Sequence, residues 1–130
     1  MQITTFNPMI LSKDAEAVIA LFEELGFEKK HAPTVDTGKS MVTSTRMKDS
    51  NGFHIDIADV KSVPQDMTII RMNVDNFDEA FEMLTAKGFT HAGGEQAVET
   101  ASNKSALMTS PSGFAFDLCQ HIKEPNRLHL

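Results

Sequence analysis

Neither tryptophan nor tyrosine occurs among the 130 residues, and cysteine occurs once, at Cys119. A single cysteine excludes an intramolecular disulfide framework and suits a reducing compartment. Without the two larger aromatics, nine phenylalanines and eight methionines must supply much of the bulk of the core and of any pocket. No run approaches the roughly 20 apolar residues that a membrane helix needs. Met1 to Leu11 also lacks the basic start and long apolar stretch of a signal peptide. Lysine and arginine are scattered rather than clustered, and the net charge is −6. The basic stripe of a nucleic-acid surface is therefore missing, and nothing supports a membrane-surface role. The expectation is a cytoplasmic protein with no nucleic-acid or membrane partner, its negative charge serving solubility.

What is present argues for a folded domain. Hydrophobic residues make up 41% of the chain and are spread along all of it, which excludes a disordered composition. The length suits a single domain over residues 1–130 with a workable core.

Two segments carry apolar residues at helical spacing. Val18, Leu21, Phe22 and Leu25 follow Asp14, which is placed as an N-cap. Phe77, Ala80, Phe81 and Leu84 follow Asn76, which stands three residues before Glu79 in a weak capping box. Each helix ends on a Gly-Phe pair, Gly26-Phe27 and Gly88-Phe89, where glycine takes the left-handed C-terminal position. Strand-like runs precede the helices at Thr4 to Leu11 and Met67 to Val74, and turn-punctuated segments with some alternation follow them. The last strands correspond best: Asn51-Gly52-Phe53-His54-Ile55-Asp56-Ile57 matches Ser112-Gly113-Phe114-Ala115-Phe116-Asp117-Leu118. The second copies of Gly26 and Phe27 fall 62 residues on, and those of Gly52 and Asp56 61 residues on. So constant a shift indicates an internal duplication. The first repeat is expected over about 4–58, a linker over about 59–65, the second repeat over about 66–121, and a polar tail over 122–130.

The stretch from Asp14 through Leu21-Phe22-Glu23-Glu24-Leu25-Gly26-Phe27 resembles the Asp…Phe-Tyr…Leu-Gly-Phe signature of the vicinal oxygen chelate superfamily. That superfamily includes glyoxalase I, extradiol dioxygenases, fosfomycin-resistance enzymes and bleomycin-resistance proteins. Ser110-Pro111-Ser112-Gly113-Phe114-Ala115-Phe116-Asp117-Leu118 resembles its Asp-Pro-x-Gly-Asn-x-x-Glu-Leu signature. The departures are Phe22 for Tyr, Ser110 for Asp, Phe114 for Asn and Asp117 for Glu. The resemblance spans about residue 4 to residue 121 and implies an α+β fold. Two βαβββ repeats would form a cupped, mostly antiparallel eight-stranded sheet, the glyoxalase/bleomycin-resistance fold.

In the metal-dependent relatives, the first and last strands of each half each supply one metal ligand, and the resemblance places these positions on Asn7, Asp56, Ile69 and Asp117. Isoleucine has no lone pair, and a side-chain amide is a poor ligand for zinc or nickel. The expected metal site is thus degraded.

Residues two apart on a strand share a face. If Asp56 and Asp117 face the cavity, the expected ligand-binding residues are Asn7, Met9, His54, Asp56, Arg71, Asn73, Asp117 and Cys119. Leu11, Ile69 and Ala115 share that face, with His121 further along. Arg71 suits either an internal ion pair with Asp56 or Asp117, or the anionic group of a ligand. His54 and Asp56, two apart, suit acid–base work or a structural role. His54, Asp56, Asp117 and His121 together carry the atoms of a rebuilt metal site. Cys119 reads as a small buried hydrophobe. Gly38-Lys39-Ser40 is not a phosphate-binding loop, because Pro33 stands where the earlier glycine is required.

The resemblance implies a protein that binds a small molecule without a metal and works as a homodimer. No cofactor is then expected. The alternative is a lyase or dioxygenase-like enzyme with a divalent metal at Asp56 and Asp117, and a third reading is an interaction domain with a vestigial pocket.

Overall fold

The structure, a computed structural model, describes residues 1–32, 34–36, 41–91, 98–99 and 103–121. The chain runs β1 (Ile3–Ser12), α1 (Ala15–Glu24), β2 (Glu28–His31), β3 (Thr34–Asp36), β4 (Met41–Lys48) and β5 (His54–Asp59). It then repeats the plan with β6 (Met67–Val74), α2 (Phe77–Ala86), β7 (Thr90–His91), β8 (Val98–Glu99), β9 (Asn103–Thr109) and β10 (Ala115–His121). The fold is α+β and built from two βαβββ repeats, as the duplicated sequence pattern predicts. Each repeat carries one short strand more than expected: β3 pairs with β4, and β8 with β9. β5 extends through Asp59 and β6 begins at Met67. The predicted tail lies outside the described residues.

Contacts divide the chain into two units: Asn7–Ile69, and Met1–Phe6 together with the chain from Ile70 on. In the first, the strand order is β2-β4-β5-β1, with β1 parallel to β5 and the other neighbours antiparallel. In the second it is β6-β10-β9-β7, with β6 parallel to β10 and the rest antiparallel. Met1–Phe6 joins the second unit because the backbone of Gln2 exchanges hydrogen bonds with Asp75 at the end of β6.

Each helix covers one face of its own sheet. Ala15 on α1 packs with Met47, Ile55 and Ile57, and Ile10, Val18, Ile19, Phe22 and Phe27 border them. In the other unit, Phe77, Ala80 and Leu84 of α2 meet Met72, Val74, Ala106, Met108 and Leu118. Phe81, Phe89 and Phe116 border that core. The missing tryptophan and tyrosine are thus replaced by a phenylalanine- and methionine-rich interior.

The helix ends follow the sequence signals closely. Asp14 Oδ1 accepts from Ala17 N at 3.4 Å, and Asn76 Oδ1 from Glu79 N at 3.1 Å. The return half of the capping box is not made, since the Glu79 carboxylate instead takes the amino group of Met1. Both helices close in a Schellman turn. Phe27 N reaches Phe22 O at 2.9 Å and Gly26 N reaches Glu23 O at 3.1 Å. Phe89 N reaches Leu84 O and Gly88 N reaches Thr85 O, both at 3.0 Å. The turn needs positive φ, and Gly26 and Gly88 supply +104° and +96°. Phe27 then folds onto Phe22, ring centroids 5.4 Å apart, which is the apolar contact that accompanies this cap. A Cβ at Gly26 would meet nothing, whereas one at Gly88 would stand 3.0 Å from Pro111 Cγ.

The turns before β5 and β10 are built alike. Asp49 Oδ1 accepts from Asn51 N at 3.0 Å and from Phe53 N at 2.8 Å. Ser110 Oγ accepts from Gly113 N at 3.0 Å and from Phe114 N at 3.1 Å. Ser110, a departure from the superfamily signature, therefore keeps the turn-capping role with a hydroxyl.

Candidate functional site

The sheet face turned away from each helix carries the polar residues. On β5, Ile55 and Ile57 point to α1, which leaves His54, Asp56 and Ala58 on the other side. The registers place Met9 of β1 and Arg46 of β4 on either side of Asp56, and Ser44 beside Ala58. Asp56 is only 2% exposed. Arg46 grips its carboxylate with both available edges, Nε to Oδ1 at 3.1 Å and Nη2 to Oδ2 at 3.0 Å. Asn7 Nδ2 adds a third donor to Oδ2 at 2.7 Å, and Asn7 Oδ1 accepts from Arg46 Nη2 at 3.4 Å. A buried carboxylate is tolerated because donors converge on it, and here one of them carries a full charge.

The second unit repeats the theme with its parts exchanged. On β10, Phe116 and Leu118 belong to the helix side, so Ala115, Asp117 and Cys119 face away. Asp117 is flanked by Arg71 on β6 and Leu107 on β9. Arg71 Nη1 lies 3.8 Å from Asp117 Oδ2, and its Nε donates to Asn73 Oδ1 at 3.4 Å. Cys119 Sγ donates to Asp117 Oδ1 at 3.4 Å. Each unit thus flanks its aspartate with one arginine and one apolar side chain. In the first unit the arginine comes from the antiparallel neighbour β4, in the second from the parallel neighbour β6.

Of the sequence-derived candidates, Asn7 and Asp56 meet directly, and Arg71, Asn73, Asp117 and Cys119 form one chain of contacts. Met9 is buried beside Asp56 in the register. His54 lies two residues from Asp56 and is partly buried. His121 stands exposed at the end of β10. Arg46 was missed by sequence reasoning, and the hairpin count held the signal. Positions 46 and 56 each lie five residues from Asn51, the middle of the five-residue turn between Lys48 and His54, so an antiparallel pairing sets them opposite each other.

Comparison with known proteins is informative at the level of structure alone. No family model matches the sequence, and no curated protein matches it. Among solved structures, the methylmalonyl-CoA epimerase of Mycobacterium tuberculosis superposes with a TM-score of 0.68 at 12% identity, over 98% of this chain and 93% of that one. A Streptomyces coelicolor methylmalonyl-CoA epimerase variant in complex with 2-nitronate-propionyl-CoA gives 0.66 at 13% identity, over 94% and 100%. A glyoxalase/bleomycin resistance protein/dioxygenase superfamily member from Vibrio splendidus 12B01 gives 0.56 at 14% identity, over 93% and 100%. This chain has the vicinal oxygen chelate fold.

Members of the superfamily often use a divalent metal, and the residues here do not fit one. Of the four positions that the superfamily pattern assigns, Ile69 has no donor atom and is buried. Asp56 already binds a guanidinium through both oxygens and an amide through one. A cation approaching it would meet the positive charge of Arg46 at contact range, where repulsion in a buried setting is strong. Among the described residues, no three His, Cys, Asp or Glu side chains are gathered as a metal would require.

Proposed function

We propose that this protein binds a small molecule in the manner of the bleomycin-resistance branch of the superfamily, and does so without a metal ion. The observation that carries the reading is the replacement of cation by guanidinium at Asp56. Where the pattern expects a metal-binding carboxylate, Arg46 and Asn7 hold it instead. The sheet faces opposite the helices then combine apolar side chains with a few fixed polar groups: Met9 and Ala58 beside Asn7, Arg46 and His54, and Ala115 beside Arg71 and Asn73. That mixture is typical of small-molecule sites, which are mostly apolar with few oriented polar groups.

The test is a calorimetric titration of purified, tag-free protein with nickel, zinc, manganese, cobalt and iron, with elemental analysis alongside. The expected result is no stoichiometric binding of any of them. One equivalent of bound metal that is lost in Asp117→Ala would overturn the reading and favour a lyase or dioxygenase-like enzyme. A ligand screen should include acyl-CoA thioesters and bleomycin, because the structural neighbours are named for them. The reading includes a homodimer, and sedimentation velocity checks it. A single 14.3 kDa species at working concentration would remove that part.

A further inference from the structure

On β4, Ser44 and Arg46 occupy the same sheet face two residues apart, opposite Ala58 and Asp56 of β5. Ser44 is 7% exposed, and its hydroxyl has no hydrogen-bond partner among the described residues. A buried hydroxyl without a partner is costly and rare in native proteins. Its neighbour Ala58 is small and 1% exposed, and offers the hydroxyl nothing to bond.

Arg46 adds a second, independent feature. Its bonds to Asp56 and Asn7 use Nε and Nη2. Nη1, with two N–H donors, lies outside that fork and bonds no described residue. The Arg46 side chain is 23% exposed, so its head group remains reachable.

We infer that Ser44 Oγ and Arg46 Nη1 form a subsite that receives a carboxylate of the bound small molecule. A strand rises about 3.3 Å per residue, so the two side chains are rooted about 7 Å apart and one carboxylate can meet both heads. Charge sets the class of group. Asp56 already neutralises Arg46, so a monoanion with two acceptor oxygens is accommodated, while a phosphate dianion is repelled by the same aspartate. The inference rests on the reading of this chain as a binder and narrows it to carboxylate-bearing ligands.

The experiment titrates benzoate and propionate, with benzamide and propionamide as neutral controls, into isotopically labelled protein followed by NMR. A wider compound library is screened in parallel. The carboxylates are expected to shift the signals of Ser44 and Arg46, and the amides to bind at least about tenfold more weakly, the scale of a charged hydrogen bond. Ser44→Ala should weaken benzoate by about tenfold while the ligand-free variant melts at or above the wild-type temperature, since an unpartnered hydroxyl is removed. A drop of several degrees in ligand-free Ser44→Ala would overturn the inference, because the hydroxyl would then be bonded to ordered water as part of the fold. Carboxylates that fail to bind while other library compounds succeed would sink the subsite and leave the binder reading standing. A library in which nothing binds would sink both.

Discussion

Arg46→Ala is expected to destabilise the protein by about 3 kcal/mol, because it strips a charged bidentate partner from a buried carboxylate. Asp56 is 2% exposed, and the variant leaves it the Asn7 amide but not the Arg46 guanidinium. Breaking a buried pair from one side costs roughly 3–5 kcal/mol. The partial exposure of the arginine side chain places this case at the lower end, since solvent screens part of the interaction. In a chain of this size the loss corresponds to a fall in Tm of roughly 10 °C. Urea denaturation of wild type and variant, compared at constant m, measures it. The double variant Arg46→Met/Asp56→Leu should recover most of the loss, because no charge is then left buried without its partner. A loss below about 1 kcal/mol in the single variant would make Arg46 a spectator. The metal position would then have to be reconsidered, since nothing of consequence would occupy it.

The sequence exposed the skeleton because its signals are local and occur twice. Asp14 and Asn76 cap their helices as read, and the Gly-Phe pairs close Schellman turns at both C-termini. Met67 to Val74 forms a strand with the predicted bounds. Alternation along β5 and β10 correctly separated Ile55, Ile57 and Leu118, which join the helix-side cores, from Asp56 and Asp117. What stayed hidden depends on pairing between segments. The strands after each helix carry weak alternation, and β3 and β8 add only three and two residues of ladder to their neighbours. Arg46 lies in one of those weak stretches, so its partnership with Asp56 emerges only from the register of the β4–β5 hairpin. The companion residue Arg71 is legible because alternation along β6 sets it on one face with Ile69 and Asn73, where an arginine needs a carboxylate. The sequence leaves Asp56 and Asp117 both open as its neighbour, and the β6–β10 register sets Asp117 3.8 Å away.

Leu118→Ala is expected to cost about 3–4 kcal/mol, toward the upper part of the range for buried leucine truncations. Leu118 is fully buried on β10 among Met72, Val74, Leu84 and Met108, where the helix of its unit closes over the sheet. Two fixed points limit how far that helix can settle into the vacated space. Phe77 N at the start of α2 donates to Gln120 Oε1 at 2.7 Å, and Gln120 Nε2 donates to Asp75 O at 3.0 Å. A helix held at its first turn by the strand it covers cannot collapse freely, so the cavity term remains large. Chemical denaturation gives the magnitude, and the neighbouring substitution Asp117→Asn supplies the contrast. Asn keeps the shape of Asp, with its one oxygen toward Arg71 and its amide nitrogen able to donate to Cys119 Sγ, and the 19% exposure of the Asp117 side chain limits what its charge contributes to roughly 1 kcal/mol. Two adjacent residues of one strand would then differ about threefold in cost. That difference is what the alternation of β10 demands if one face is the packed core and the other is free to serve a ligand. Equal losses at 117 and 118 would mean that both faces are structural, and the binding proposal would lose its surface in this unit.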